Sequence, residues 1–307
     1  MSEASPHALL RPRVVIPFLT ISLIWGSTWV VIADQIETAP PVWSVVWRFA
    51  PATLGAFILA VVLRASLFLH RKAHLLAMAI GMFQFCCNYV FVYHAELHLT
   101  TGIVAVMLSL LIVPNALLGR WLLGLRFTPR FLVGSAVAIA GITLLIVNEA
   151  QAAQLGKDVP LGALFGVLAM VGASIASVIQ AGEVGRSVPL PSLLAWAMLY
   201  GTLFDASIAW VSEGPPVVPQ STSYWAGALY LAIIGSVVTF PLYWTLVREI
   251  GPGRAAYHGV LTVIVAMMFS TVVEDYHWSW LAVAGAVLAL AGLVIALRAH
   301  NPVTKSG

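Results

Sequence analysis

Charged residues are scarce in this chain of 307 amino acids: they make up 9% of it, whereas 61% is hydrophobic. Soluble globular domains carry about 25% charged residues, so the composition excludes an ordinary soluble protein. Runs of about 20 apolar residues can cross a hydrocarbon core of about 30 Å. We therefore predict an all-α integral membrane protein with ten transmembrane helices, at residues 14–35, 42–64, 74–96, 99–122, 130–147, 160–182, 190–211, 224–246, 254–273 and 278–298.

The sequence lacks the residue patterns that a disulfide, an ATP site, a metal site or a catalytic site would need. The two cysteines, Cys86 and Cys87, are adjacent, and neighbouring residues cannot easily close an unstrained disulfide. The sequence contains no P-loop for ATP, no HExxH metal motif and no serine and histidine pair at helical spacing. His94 and His98 lie one helical turn apart, but Glu96 between them points away from both. We expect no enzyme activity, no cofactor, no bound metal and no direct use of ATP.

Basic residues predict the orientation. If the N-terminus is cytoplasmic, thirteen of the fifteen lysines and arginines fall on the cytoplasmic side, while Lys157 is outside and Arg48 lies within a span. Cytoplasmic loops of membrane proteins carry this excess of positive charge. We predict a multi-pass protein of a bacterial-type inner membrane with both termini in the cytoplasm. The net charge of +3 then reflects the basic residues of the cytoplasmic loops. We expect no nucleic-acid partner.

The two halves of the sequence match one another. An offset of 149 residues aligns Trp47, Thr53 and Leu54 with Trp196, Thr202 and Leu203. An offset of 151 residues aligns Gly134, Ala138 and Gly141 of the fifth span with Gly285, Ala289 and Gly292 of the tenth. Both triplets form a stripe of small side chains, which lets helix backbones approach closely in a membrane.

Each half holds five predicted spans, so the second half must enter the membrane from the side opposite to the first. Inverted repeats of this kind place a substrate site near the midplane and permit alternating access. We predict two repeats, at residues 14–147 and 160–298, with an extracytoplasmic linker at 148–159 and cytoplasmic tails at 1–13 and 299–307.

Several motifs are shared with a known family. They are "IWGSTWV" (24–30), "WRFAPATL" (47–54), "GIVAVMLSLLIVPNALLGRWLL" (102–123) and "GPGRAAYHGVLTVIVAMMFSTVVED" (251–275). Over nearly its whole length the chain resembles the EamA-like branch of the drug/metabolite transporter superfamily. The resemblance implies ten helices and export of small metabolites, often amino acids or their derivatives. The acidic residue common at the end of the ninth helix matches Glu274, but its counterpart in the fourth helix is Leu123.

Polar and aromatic side chains inside the spans are the candidates for substrate binding. The first span carries indoles and hydroxyls near mid-depth, and the third and eighth spans carry polar stripes on single helix faces. The offset of 151 residues aligns Asn88 with Thr239. The alternative is that these groups bond helix to helix. The predicted substrate-binding residues are Trp25, Ser27, Trp29, Gln84, Asn88, Tyr89, Ser236, Thr239 and Tyr243.

Charge well inside the spans is limited to Arg48 and Asp205. Each is a candidate for a gate or for proton coupling, and an ion pair between them in one conformation is one reading; either could instead snorkel to the interface. Gln180, Tyr257 and His258 lie nearer the cytoplasmic ends and are candidates for an inner gate. Uniport and proton antiport both stay open.

The candidate residues favour some substrates over others. A phosphate carrier needs lysine or arginine at the midplane, and the sequence has none there. Amides, hydroxyls and aromatic rings suit a neutral or zwitterionic molecule. We predict a secondary transporter that exports amino acids or similar small metabolites by alternating access, with the bilayer and a small-molecule substrate as its partners. The alternatives are efflux of lipophilic cations and, more distantly, an intramembrane enzyme or receptor.

Overall fold

The protein is mainly helical in the part that the structure, a computed structural model, describes: residues 12–123, 128–152, 158–180, 182–250 and 258–299. Helices suit a lipid environment because they bond their backbone N–H and C=O groups within one segment. In chain order they are α1 (Pro12–Thr38), α2 (Pro41–Val62), α3 (Arg71–Ile80), α4 (Asn88–Glu96), α5 (Thr101–Ser109), α6 (Ile112–Leu123), α7 (Pro129–Ala152), α8 (Val159–Gln180), α9 (Glu183–Ser187), α10 (Leu190–Ser212), α11 (Thr222–Leu229), α12 (Thr239–Ile250), α13 (His258–Val273) and α14 (Trp280–Ala299).

Seven helical segments in this described part are long and apolar enough to cross a membrane. They are Val14–Thr38, Pro41–Val62, Arg71–Glu96, Pro129–Asn148, Val159–Gln180, Leu190–Ser212 and Thr222–Tyr243. Three shorter apolar helices, Thr101–Asn115, His258–Val273 and Trp280–Ala296, coincide with the fourth, ninth and tenth predicted spans. Several membrane-spanning helices are therefore present, while the count of ten and the two-repeat division stay predictions.

Two of the spans change to π-helical geometry in their middle. The π segment Gly81–Cys87 joins α3 to α4, and the π segment Tyr230–Val238 joins α11 to α12. Each interrupts the third span of a predicted repeat. Asn88 and Thr239, which the offset of 151 residues aligns, are the first residues after the two π segments. π segments occur often at functional sites. Their position beside Asn88 and Thr239 therefore favours a functional role for the two polar stripes.

The chain divides into two compact units. The first unit comprises Met1–Trp29, Thr100–Ala153 and Thr239–Gly307, and the second comprises Val30–Leu99 and Gln154–Val238. Each unit therefore draws segments from both halves of the sequence.

In the first unit, α7 and α14 pack backbone to backbone along the predicted stripes of small residues. A Cβ atom added at Gly285 would lie 2.8 Å from the carbonyl oxygen of Gly141. One added at Gly292 would lie 2.6 Å from the carbonyl oxygen of Gly134 and would collide with the amide nitrogen of Ala138. Only hydrogen fits at these positions, so the two stripes of small residues face each other and let the two backbones touch.

In the second unit, α2 packs against α10, and the π segment Gly81–Cys87 packs against α10 as well. The hydroxyls of Thr53 and Thr202, which the offset of 149 residues aligns, are 3.1 Å apart and share a hydrogen bond. A Cβ atom added at Gly81 would lie 2.6 Å from the carbonyl oxygen of Ala197. Close backbone packing thus fixes the position of the π segment on α10.

A carboxylate caps one helix start in each unit. In the second unit, Glu213 accepts hydrogen bonds from the backbone amides of Val42 and Trp43, both at 3.0 Å, at the beginning of α2. In the first unit, Glu274 accepts from the amide of Thr101 at 3.2 Å and from its hydroxyl at 2.7 Å, at the beginning of α5. An anion at a helix N-terminus satisfies free amides and complements the helix dipole.

The close contact of α7 with α14 predicts the effect of a single methyl group. Gly292→Ala should destabilise the protein by roughly 1–3 kcal/mol because the added Cβ overpacks a backbone contact. Thermal unfolding in detergent measures this. The control is Gly259→Ala, where the added Cβ would meet its nearest neighbour, Ser109, at an ordinary 3.8 Å. Equal unfolding temperatures for the two variants would contradict the packing described for α7 and α14.

Candidate functional site

In the first unit, Trp25 lies in the centre of an aromatic cluster. Its indole Nε1 donates a hydrogen bond of 2.9 Å to the hydroxyl of Thr239. Its ring contacts the rings of Phe240, Tyr243 and His258, with centroid distances of 5.7, 5.4 and 5.0 Å. Four residues that the sequence singled out, Trp25, Thr239, Tyr243 and His258, therefore lie together.

Close packing of α1 on α13 supports this cluster. A Cβ atom added at Gly26 would lie 2.5 Å from the side chain of Val265 and 3.2 Å from the carbonyl oxygen of Thr262. The buried hydroxyl of Ser22, which donates to the carbonyl oxygen of Phe18 at 2.8 Å, also lies 3.3 Å from the carbonyl oxygen of His258. The glycine beside Trp25 thus lets α1 approach α13 closely enough to pack the indole against His258.

The two serine hydroxyls of the predicted site bond within their own helices. Ser27 donates to the carbonyl oxygen of Ile24 at 2.8 Å, and Ser236, in the second unit, donates to that of Leu231 at 2.9 Å. Trp29 differs, because its buried indole N–H has no hydrogen-bond partner among the described residues. A role of these three residues in substrate binding stays a prediction.

In the second unit, Asn88 joins α4 to α8. Its side-chain amide donates to the carbonyl oxygen of Ala169 at 2.9 Å, and Gln84 approaches the Asn88 oxygen at 3.5 Å. Asn88 is 5% exposed. In this conformation the Asn88 amide therefore donates its hydrogen bond to another helix, which is the alternative to substrate binding. Substrate contact by Gln84 and Asn88 stays a prediction.

Arg48 is a buried cation in the second unit, 1% exposed. It lies seven residues into α2, about 10 Å along the helix axis. Its guanidinium carbon is 4.4 Å from the ring centroid of Tyr89 and 5.3 Å from that of Phe49. Nη2 has a long hydrogen bond of 3.5 Å to the hydroxyl of Tyr89. Within the described ranges, Nε and Nη1 have no partner, so the side chain does not snorkel to water and is not neutralised by an anion.

Gln35 and Tyr93 complete the surroundings of Arg48, and the sequence did not single them out as site residues. The hydroxyl of Tyr93 lies beside the guanidinium and donates to Oε1 of Gln35 at 2.8 Å. Gln35 is fully buried, and its Nε2 has no partner in the part of the chain described. The sequence places Gln35 at the very end of the first span, whereas the helix continues to Thr38. Gln35 therefore lies one turn before the end of α1.

Asp205 is a buried carboxylate in the second unit. It is 0% exposed, and neither of its oxygens has a hydrogen-bond partner among the residues described. The thiol of Cys86, in the π segment, lies beside it but not in hydrogen-bonding geometry. Asp205 and Arg48 make no ion pair with each other in this conformation. Both charges are thus deep in one unit and unpaired.

The remaining candidates lie apart from these groups. Gln180 is 7% exposed at the end of α8, and Tyr257 lies outside the described residues. His94 is bonded to the carbonyl oxygen of Val90 at 2.7 Å, and His98 accepts from the backbone amide of Asp158 at 3.2 Å. The described residues contain no group of three or more His, Cys, Asp or Glu side chains able to hold a metal.

Comparison with known proteins identifies relatives over most of the chain. A family model described as the EamA-like transporter family matches residues 13–147 and 160–298. Protein PagO of Salmonella typhimurium is 23% identical over 291 residues, which are 94% of this chain and 92% of PagO. The uncharacterized inner membrane transporter YedA of Escherichia coli K12 is 26% identical over 268 residues, 85% of this chain and 84% of YedA. One solved crystal structure shares the fold, with a TM-score of 0.67 and 18% identity over 93% of this chain and 98% of its own.

The hydrogen bond from Asn88 predicts the result of removing its amide. Asn88→Ala should lower the free energy of unfolding by about 1–3 kcal/mol, because the buried hydrogen bond between the Asn88 amide and the carbonyl of Ala169 is lost. Thermal unfolding and transport are measured on the same preparation. The control is Asn115→Ala, since the Asn115 side-chain oxygen has no hydrogen-bond partner in the described part of the chain. Loss of transport at unchanged stability in Asn88→Ala would instead support contact with substrate.

Proposed function

The chain belongs to the EamA-like transporter family, and we propose that it is a secondary transporter that exports amino acids or similar small neutral or zwitterionic metabolites. It works by alternating access in an inner membrane, with both termini in the cytoplasm. The name of YedA, an inner membrane transporter, supports this location.

One observation carries the substrate class. Arg48 is a cation and Asp205 is an ionisable carboxyl group, each seven residues from the nearer end of its helix, and each is buried with no ion-pair partner among the described residues. Burying an unpaired charge costs several kcal/mol, and polar groups kept inside a membrane are commonly functional. A zwitterion carries one charge of each sign, while the amides, hydroxyls and rings nearby suit its neutral part.

The bounds of the family match support the proposed repeats. The two matched segments, 13–147 and 160–298, nearly coincide with the two halves that the internal offsets align. Two inverted copies of one helical unit allow a site to open first to one side and then to the other. No nucleotide hydrolysis is needed, and an ion gradient or the substrate gradient drives transport.

Efflux of lipophilic cations is the second candidate function. The observation that favours it is the carboxylate of Asp205, which is buried without a partner among the described residues. A cation could neutralise this group. Aromatic rings such as those around Trp25 also attract cations, by about 0.5–2 kcal/mol for each contact.

A ligand panel separates the two functions. The purified protein is heated in detergent with the protein amino acids, vitamins and quaternary ammonium compounds, each added singly. A ligand at about 100 times its Kd stabilises the folded state by about 2.7 kcal/mol, which raises the unfolding temperature measurably. Stabilisation by amino acids supports the proposal, and stabilisation by quaternary ammonium compounds alone would overturn it in favour of cation efflux.

Asp205 is the candidate for proton coupling. Asp205→Asn should lose accumulation driven by a pH gradient and keep exchange of substrate down its own gradient, because an amide cannot carry the proton that a carboxylate can. Proteoliposomes are assayed with and without the pH gradient. The control is Asp34→Asn, at an exposed position on α1. Wild-type rates for Asp205→Asn under both conditions would contradict the coupling role.

A further inference from the structure

We propose that Arg48, together with Gln35, Tyr89 and Tyr93, forms a subsite in the second unit that binds the carboxylate of the transported substrate. The inference rests on the proposed function and makes it narrower. It requires a free carboxylate on the molecule that is transported, and it makes Arg48 a binding residue rather than a gate.

The subsite contains several hydrogen-bond donors that have no acceptor among the described residues. Nε and Nη1 of Arg48 and Nε2 of Gln35 have no hydrogen-bond partner in the described part of the chain, although both side chains are at least 99% buried. A carboxylate offers two oxygens with about four lone-pair positions, and arginine is well suited to bind it. The described residues around Arg48 and Gln35 therefore provide no acceptor for these donors, and a carboxylate would provide one.

Two tyrosines, Tyr89 and Tyr93, hold the donors of Arg48 and Gln35 in place. Tyr89 presents its ring face to the guanidinium at 4.4 Å. Tyr93 donates to Oε1 of Gln35 at 2.8 Å, so the amide nitrogen of Gln35 is the end left for a ligand. Such preorganisation reduces the conformational entropy that binding costs.

The contacts of Arg48 within the protein are too weak to offset the cost of burying its charge. A cation–π contact with Tyr89 contributes about 0.5–2 kcal/mol, whereas burying an unpaired cation costs several kcal/mol. Two carboxyl groups of the second unit, Glu213 and Asp205, do not supply the difference. Both oxygens of Glu213 accept from backbone amides of α2, and Asp205 makes no ion pair with Arg48. A purely structural role thus leaves most of the burial cost uncompensated.

The charge of the subsite selects among anions. One guanidinium neutralises one negative charge, which matches a monocarboxylate. A phosphate dianion calls for a second cation or a metal beside it. With Arg48 1% exposed, the subsite is closed in this conformation, and the carboxylate enters in another conformation of the transport cycle.

Binding by the wild-type protein provides the first test. The probes are the protein amino acids, the α-amides of those amino acids, and inorganic phosphate, each titrated by thermal shift. The subsite predicts that an amino acid binds on the order of tenfold or more tightly than its amide, which lacks the charge that pairs with arginine. Equal affinities would overturn the subsite and leave the proposed function standing. If no amino acid binds, the proposed function is overturned as well, and stabilisation by phosphate alone would contradict a monocarboxylate ligand.

Three variants provide the second test. In Arg48→Gln the preference for the acid over the amide should disappear, and in Arg48→Lys, which keeps the charge but not the fork of donors, it should be reduced. The matched control Arg71→Gln changes an exposed arginine of the same unit and should keep the wild-type preference. A wild-type acid preference in a folded Arg48→Gln protein would overturn the assignment. If that variant does not fold, the wild-type comparison of acids with amides decides.

Discussion

No water is present in the hydrocarbon of a membrane, so each polar group buried there must find its partner inside the protein. Most polar side chains described here do so. Trp25 donates to Thr239 at 2.9 Å, and Tyr224 donates to Ser44 at 2.9 Å. Arg48 and Asp205 are the informative exceptions, because both are buried and neither is paired with an opposite charge. Substrate binding and proton coupling are both proposed at these two exceptions.

The elements that the sequence predicts well are those that depend on composition and spacing. Bilayer thickness fixes the length of an apolar span, and the small residues at Gly134, Gly141, Gly285 and Gly292 mark helix faces that allow close backbone approach, although the sequence does not say that the two faces meet each other. The π segments at 81–87 and 230–238 carry no such local signal. The cap of α2 by Glu213 joins positions about 170 residues apart, and such a pairing is decided only by tertiary packing.

The candidate site was predicted in part for the same reason. Depth along a helix can be counted from sequence, which is why Trp25 and Thr239 are both candidates for the midplane site, and they share a hydrogen bond. His258, a candidate for an inner gate nearer the cytoplasmic end, packs against Trp25 as well. The direction in which a side chain faces cannot be counted in this way. The amide of Asn88 bonds to a neighbouring helix, and Gln35 is buried with its side chain bonded to Tyr93, and tertiary packing decides both placements.

Counterflow in proteoliposomes tests secondary transport most directly. Vesicles containing the purified protein are loaded with an unlabelled amino acid and diluted into a trace of the same amino acid carrying a label, without ATP or an ion gradient. A transporter that works by alternating access exchanges the two, so the label should rise transiently above its equilibrium level inside the vesicles. If no amino acid produces a rise above that of protein-free vesicles, the account is wrong.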